Sequence, residues 1–435
     1  MTSPPYPPPR AVEDVVLVEI LNTNLVSLGM IQWATINATL YYNAVGSWTV
    51  LAMYSDWLWN QIMAGEFIVK VTWRGLFSFG GKCEQPTYSS SIPGSTGAGA
   101  GAAGATAGRF ITLNGGDYLQ ILANRICYPD PTVAWTSQVP ASADLFSGPL
   151  ETAIKYYVNR NAGSTTIMSS DGKTTIPPAI TSRRHPLLTV ANDQGRGPTV
   201  NYAVKFGANV NLNLMDVVRS LISQNSTKMG VQITQSGSGL VFDVYIPQDK
   251  SSTISFSEGL GNLTSVNFSL TDPTVTDVLV IGAYPMRDTA GNPTADPSFV
   301  QQTAGTVTPW NKAEKYVDDS NETLIRNLKA DAANVLFEGT MGAHLATTTT
   351  ESPYIVYGRD YHVGDIVSVE VLPGDIYTDV IASVTLTCDP TQTPIMNAVP
   401  AIGNYTDPFA NDKTMYGILL NKIKGLEKKL AAKGR

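Results

Sequence analysis

The amino-acid sequence predicts a mainly β protein that carries a mixed α/β insert and ends in a helix. Three observations lead there. Stretches rich in Val, Ile, Thr, Tyr and Trp alternate apolar with polar residues from 15 to 85 and again from 357 to 387, the period of a half-buried strand. Three stretches between 147 and 339 instead repeat their apolar residues every three or four positions, the period of a helix packed on one side. Only 15% of the 435 residues are charged, against roughly 25% in an average soluble domain. The apolar fraction, 43%, is ample for cores, and neutral polar residues fill the rest. Such a composition suits a chain whose surfaces are covered by neighbouring subunits, because buried charge is costly; it suits secreted β proteins as well.

In chain order, residues 1–11 form a proline-rich arm, whose five prolines favour an extended polyproline conformation. Strands are predicted at 15–21, 30–42, 46–53 and 66–85. A short helix interrupts them at 54–66: Trp57, Leu58, Gln61 and Ile62 share a helical spacing, Asp56 is placed to cap it and Gly65 to stop it. Residues 91–108, SIPGSTGAGAGAAGATAG, predict a flexible Gly/Ala surface loop. The strand pattern resumes after it, with Asn-Gly-Gly-Asp at 114–117 read as a hairpin turn. This first strand-dense, barrel-like domain spans 12–146.

A mixed α/β domain is placed at 147–350. It opens on a helix over 147–163, with Pro149 in the first turn, Ile154, Tyr157 and Val158 on one face, and Gly163 at the end. A second helix over 213–230 starts at Asn213 and Asp216, carries the stripe Leu214, Val217, Val218, Leu221 and Ile222, and stops at Gly230. Strands follow at 231–235, 240–247, 252–257, 266–271 and 277–283. A third helix is marked by a capping box of Asp319 and Glu322, inward Leu324, Leu328, Val335 and Leu336, and a stop at Gly339. Residues 351–400 return to strand pattern. In the last segment, 411–435, Met415, Leu419, Ile423, Leu426 and Leu430 step by 4, 4, 3 and 4 residues, the spacing of a coiled-coil seam. The same spacing serves one amphipathic helix docked on its own domain, and Gly417 and Gly425 weaken it as a free-standing helix.

Several functions are disfavoured by what the chain lacks. A net charge of −7 argues against gripping nucleic acid, which takes a basic footprint that releases counterions. Cys83, Cys127 and Cys388 are far apart and odd in number, so three buried thiols are expected rather than a disulfide framework or a zinc site. The first residues have no basic and apolar regions of a secretory signal, and no run of 18 apolar residues offers a membrane-spanning helix; a reducing cytoplasm is the expected place of folding. His185, His344 and His362 lie in no ligand spacing. There is no Gly-x-Ser-x-Gly and no phosphate-binding loop, and the Gly/Ala run at 91–108 opens no helix that would make it a nucleotide site. Ser-Arg-Arg-His-Pro at 182–186 is the one tight basic spot, expected to be a solvated loop. Two carboxylates brought together from distant strands, as in a glycosidase, would leave no spacing to read. No catalytic, cofactor-binding or metal-binding residue is predicted, and no cofactor.

Three stretches together resemble the tail-hub (baseplate hub) proteins of long-tailed bacteriophages, the siphophage hub family. The first is YNAVGSWTVLAMYSDWLWNQIMAGEFIVKVTWRGLFSFGGKCEQ, in which a Gly-Ser-aromatic strand runs into a short helix and then into two further strands. The second is VTDVLVIGA followed by WNKAEKYVDDSNETLIRNLKADAANVLFEG, similar to the family's valine-rich strand, Trp, Glu, Val-Asp-Asp and helix. The third is YGRDYHVGDIVSVEV with DVIASVTLT, similar to the closing strands of the hub barrel, in which Gly364 and Asp365 make the turn. The similarity spans residues 30 to 390. Two features depart from the family pattern: GAYPMRDTAGNPTADPSF has Arg287 but few glycines, and the loop at 91–108 looks like an insertion.

The resemblance implies two hub-type β-barrels, at 12–146 and 351–400, in a homotrimer whose six modules form a ring between the sixfold tail tube and the threefold tail tip. It implies a structural role with no enzymatic activity. The partners would be other copies of the chain, a distal tail ring protein, a tape measure protein and tail-tip or fibre proteins. DNA would pass through a bore in which acidic side chains outnumber basic ones. The location implied is the virion tail tip, after synthesis in the host bacterial cytoplasm. In this setting the seam from Met415 to Leu430 would be a threefold plug or a handle for tip proteins. The competing readings are a distal-tail ring, a receptor-binding protein and, from another class, a wall-degrading enzyme.

Overall fold

A computed structural model describes residues 15–91 and 108–403, apart from residue 33, breaks at 140–141, 206–211, 225–227 and 272, scattered positions from 289 to 353, and residue 393. The proline-rich arm, most of the Gly/Ala loop and the seam Met415, Leu419, Ile423, Leu426 and Leu430 lie outside these residues. The protein is mainly β, as its alternating pattern requires. Cα packing divides it into two compact units, one of residues 1–265, 348–370 and 380–405, the other of 266–347, 371–379 and 406–435.

The first unit begins with β1 (Val16–Leu21), β2 (Ser27–Ile31), β3 (Ala34–Tyr41), β4 (Ser47–Met53), β5 (Ile68–Trp73), β6 (Phe77–Lys82), β7 (Thr87–Ser91) and β8 (Gly108–Gly116). They fall into two sheets. One has the order β2-β1-β5-β6. In the other, β3, β4, β8 and β7 are neighbours. The segment 30–42, expected as one strand, is therefore two: the chain leaves the first sheet after Ile31 and enters the second at Ala34. Helix α1 (Asp56–Ala64) lies between β4 and β5. Its cap is Ser55 and not Asp56: Ser55 has an extended backbone and its Oγ accepts the Leu58 N–H at 3.2 Å, which leaves Asp56 in the first turn. Gly65 ends the helix, its N–H bonded to the Ile62 carbonyl.

Asn114, Gly115 and Gly116 are strand residues of β8, paired with β4, and not a hairpin turn. The chain turns one step later. Asp117 takes the Gly46 and Leu119 N–H groups on its two oxygens, each at 2.9 Å, and short α2 (Gln120–Ala123) follows. Burial pushes the Asp117 carboxyl up to about 6, against these two bonds.

The next stretch adds β9 (Ala143–Pro149), α3 (Leu150–Ala162), β10 (Ile167–Met168), β11 (Thr175–Ile176), β12 (Leu188–Val190), β13 (Thr199–Lys205), α4 (Leu214–Gln224), β14 (Gly230–Ser236), β15 (Gly239–Tyr245) and β16 (Ser255–Phe256). Helices α3 and α4 share one core with the sheet β12-β15-β14, built from Ile154, Tyr157, Val158, Leu214, Leu221 and Phe242 among others. Asn213 caps α4, accepting the Met215 N–H at 2.9 Å. Gly230 is not the stop of α4, which ends at Gln224; it opens β14, where a Cβ would meet the Tyr245 ring at 2.1 Å.

The remaining strands are β17 (Leu263–Thr271), β18 (Asp277–Ile281), β19 (Phe299–Thr303), β20 (Glu314–Asp318), β21 (Gly342–Thr349), β22 (Ile366–Leu372), β23 (Asp375–Cys388) and β24 (Met396–Ile402). In the second unit the order is β19-β18-β20, with Val278, Val280 and Val300 packed with Leu328 and Ala332. The capping box expected ahead of that helical stretch is smaller than predicted. Glu322 Oε1 accepts the Leu324 N–H at 2.7 Å, and Asp319 contributes its carbonyl, at 2.8 Å from the Glu322 N. Gly339 lies outside the described residues.

β22, β23 and β24 rejoin the sheet begun near the N-terminus. β23 pairs with β3 from Ser383↔Tyr41 to Cys388↔Ile36, and with β24 on its other side. The two strand-dense segments of the sequence thus meet in one eight-stranded sheet. Among the described residues no sheet closes on itself into a barrel.

Candidate functional site

The predicted turn, Gly364 and Asp365, sits where four segments of the first unit meet. Gly364 has φ +93°, and a Cβ there would strike the Tyr42 ring at 2.7 Å. The Asp365 N–H bonds the His362 carbonyl at 3.2 Å, which closes the turn. The Asp365 carboxylate is buried and accepts the Gln248 N–H at 2.9 Å and the His362 N–H at 3.0 Å, with Lys250 Nζ at 3.4 Å. Tyr245 Oη donates to the Val363 carbonyl at 3.1 Å, and Ile381 N–H to the Asp365 carbonyl at 2.9 Å. One turn therefore clamps the end of β3, the segment after β15 and β23.

A second junction joins the two sheets through glycine. β6 passes so close to β8 that a Cβ on Gly81 would lie 2.1 Å from the Gly116 carbonyl oxygen, and one on Gly115 would lie 2.3 Å from that of Lys82. Beyond β6 the chain attaches to the other sheet, with Glu84 N–H on the Asn114 carbonyl at 2.9 Å. Trp48 Nε1 donates to the Gly116 carbonyl at 2.8 Å. A shallow cleft of about 670 Å³ opens here, lined by Trp48, Thr49, Glu84, Gln85, Asn114 and Gln120. Its polar groups bond one another: Thr49 Oγ1 donates to Asn114 Oδ1 at 2.8 Å, and Asn114 Nδ2 to the Gln85 carbonyl at 3.3 Å. No nucleophile with an adjacent base lines it.

The third cluster was not legible in the sequence. α3 is buried on nearly every side, so Glu151 and Lys155 are fully enclosed. Lys155 Nζ lies 2.8 Å from Glu151 and 3.1 Å from Asp243, and donates to the Asn192 carbonyl at 2.8 Å. Arg196 forks onto Glu151 at 2.7 and 3.0 Å. Burial pushes the Glu151 carboxyl up, but the bonds from Arg196 and Lys155 outweigh it and hold the group down at about 2. Asn159 Nδ2 donates to the carbonyls of Thr165, Ile176 and Pro177. The only advance signal was the i,i+4 spacing of Glu151 and Lys155, which an exposed pair shares.

The basic spot at 182–186 is only partly solvated: Ser182, Arg184 and Pro186 are exposed, but Arg183 is not. Arg183 is buried, its guanidinium 3.5 Å over the Tyr128 ring, and it donates to Asn161 Oδ1 at 2.7 Å. Arg184 donates to the Ala179 carbonyl. Burial, aided by Arg125, pushes the His185 imidazole below its ordinary range. His362 is half exposed, 3.9 Å from Asp365; the side chain of His344 lies outside the described residues. Cys83, Cys127 and Cys388 are buried thiols. Burial raises the Cys83 thiol to about 11 and the Cys127 thiol further, so neither is poised as a thiolate. Among the described residues no three His, Cys, Asp or Glu are placed to hold a metal ion, and no helix is long and apolar enough to cross a membrane. What the three junctions do chemically is tie distant segments of the first unit together.

A family model described as Siphovirus ReqiPepy6 Gp37-like protein matches residues 17–404. No curated protein matches the chain. Among solved structures, the chain is similar to the 43 kDa tail protein of prophage MuSo2 from Shewanella oneidensis, at 13% identity, with 89% of this chain and 97% of that one covered and a TM-score of 0.49. It is similar to the tail protein from Neisseria meningitidis MC58, at 11% identity over 89% and 96% of the two chains, TM-score 0.46. It is also similar to prophage tail protein gp18 from Listeria monocytogenes EGD-e, at 13% identity over 93% and 99%, TM-score 0.43.

Proposed function

The chain belongs to the Siphovirus ReqiPepy6 Gp37-like protein family, a siphovirus tail protein family, and from that membership we propose that it is the tail hub: three copies close a ring that joins the sixfold tail tube to the threefold tail tip. The observation that carries this reading is the match over residues 17–404, nearly the whole chain. Each subunit gives the ring two β modules whose strands 12–146 and 351–400 supply jointly, since both segments enter the eight-stranded sheet, with the block at 147–350 widening the ring beneath. A heterologous contact that closes after three subunits is the symmetry this demands. The role is structural, not catalytic. The partners are a distal tail ring protein, a tape measure protein and tip or fibre proteins.

Two features support a conduit. The junctions at Gly364–Asp365, at Gly81–Gly115 and around Glu151 stiffen the first unit against load. The net charge of −7 suits a bore that DNA passes without sticking, since a basic wall would hold phosphates by counterion release. Acidic side chains then outnumber basic ones on the bore.

Copy number tests the reading. Native mass spectrometry of the purified protein, with imaging of intact tail tips, is expected to give three copies at the tube–tip junction. Six copies would make it a distal-tail ring, and a lone subunit that binds cells or glycans would make it a receptor-binding protein; either result overturns the hub.

A further inference from the structure

The second unit has a sheet face with large apolar side chains on its surface. In the β19-β18-β20 sheet, Val278, Val280 and Val300 point to the core shared with Leu328 and Ala332. The register sets the other face. Leu279 lies between Gln301 and Tyr316, and Ile281 between Phe299 and Asp318. Leu279, Phe299 and Tyr316 are 37%, 54% and 57% exposed. A solvated sheet face is ordinarily polar, so a patch of this kind points to a covering partner. Its surroundings are acidic on balance: Asp318 and Glu314, the latter paired with Lys312 at 2.6 Å, lie on the same face of β20, and residues 266–347 carry ten Asp and Glu against five Lys and Arg, net −5.

The chain itself holds a segment of matching chemistry. Residues 411–430 carry two acidic against five basic side chains, net +3. Their apolar residues, Met415, Leu419, Ile423, Leu426 and Leu430, recur at the spacing of one helix face. We infer that the segment 411–430 covers the open face of the β19-β18-β20 sheet, with this stripe on Leu279, Phe299 and Tyr316 and its lysines toward the acidic rim. A helical stripe from Met415 to Leu430 would run about 24 Å at ~1.5 Å per residue, long enough to span five-residue strands of about 17 Å. A sheet covered on both faces is an ordinary layered arrangement. Lysine stems can lie along the apolar surface while their ammonium groups reach the carboxylates. Gly417 and Gly425 also cease to be anomalous, because a docked segment takes its stability from packing and not from intrinsic helix propensity. The inference does not depend on the ring or on its copy number.

A photo-crosslinker reads the contact directly. Benzoyl-phenylalanine placed at position 316 of the full-length chain is expected to couple to peptides from 411–430, whereas the same probe at exposed Leu145 in the first unit is not. A coupled peptide from a second copy names the same occupant and supports the inference. In parallel, the double substitution Phe299→Ser and Tyr316→Ser, at exposed positions that leave the core intact, is expected to speed trypsin cleavage after Lys422, Lys424 and Lys428 at least tenfold. A probe at 316 that couples to another protein or segment, or to nothing, overturns the inference, and so does an unchanged cleavage rate. None of these outcomes counts the copies in the tail, so the hub reading stands or falls separately.

Discussion

Glu151 shows how much one side chain decides. It is enclosed, with Lys155 and Arg196 on its two oxygens, so Glu151→Gln leaves Lys155 with half of its compensation in a dry site. A loss of about 3–5 kcal/mol is expected at neutral pH, the usual cost of breaking a buried pair. The sign with pH follows from the depressed carboxyl. Its folded value of about 2 lies below the ordinary value of 4.5, so its contribution is present above the unfolded value and is lost as pH falls toward 2. Unfolding curves of parent and variant should therefore converge in acid; a constant gap would show that charge is not what the site provides. Gly81 is a second case. With the Gly116 carbonyl 2.1 Å from its missing Cβ, Gly81→Ala must push β6 and β8 apart and is expected to cost up to roughly 3 kcal/mol. Gly237 has φ +57° and nothing within 4 Å, so Gly237→Ala carries only backbone strain of about 1 kcal/mol. Thermal melts of the two variants test the contrast. Sequence alone reads both kinds of glycine alike. That is why Asn114-Gly115-Gly116 passed for a turn: a glycine kept for close approach and one kept for a positive φ are spelled the same way.

At the scale of elements, period and punctuation carried most of the reading. The helices α1, α3 and α4 lie where the apolar stripes put them, and Gly65, Asn213 and Gly163 sit at their ends. Errors arose where two signals compete within a residue or two. Ser55 and Asp56 both suit a cap, and only backbone geometry chose Ser55. The run 30–42 keeps its alternation through a crossing between sheets, since both sheets have an inner and an outer face. Among the described residues of the second unit, seven buried ones form its core cluster. Leu328→Ala, which removes a fully buried side chain from it, is expected to cost about 2–5 kcal/mol. Hydrogen exchange resolves where the cost falls. β18, β19 and β20 should lose protection while β14 and β15 keep theirs, and a uniform loss would mean that the two units unfold together.

For the whole molecule, the strand-dense ends and the mixed middle determined class: mainly β, with α3 and α4 in the middle and the short α1 and α2 among the first strands. The hub motifs, read in order along the chain, led to a family that the match over 17–404 shows. What the sequence could not determine is partnership. Period two tells a strand which of its faces is inward, but not which strand lies beside it. β3 and β23 are some 340 residues apart and pair along six positions, and no local pattern announces it. Burial was equally hidden. Glu151, Lys155 and Arg183 are the residue types of a solvated surface, and tertiary structure alone put them inside, because packing closed over these side chains and hydrogen bonds made their charges tolerable. Local chemistry set the elements by itself; the meeting of distant segments, where desolvation and close contact act, was settled only by the fold.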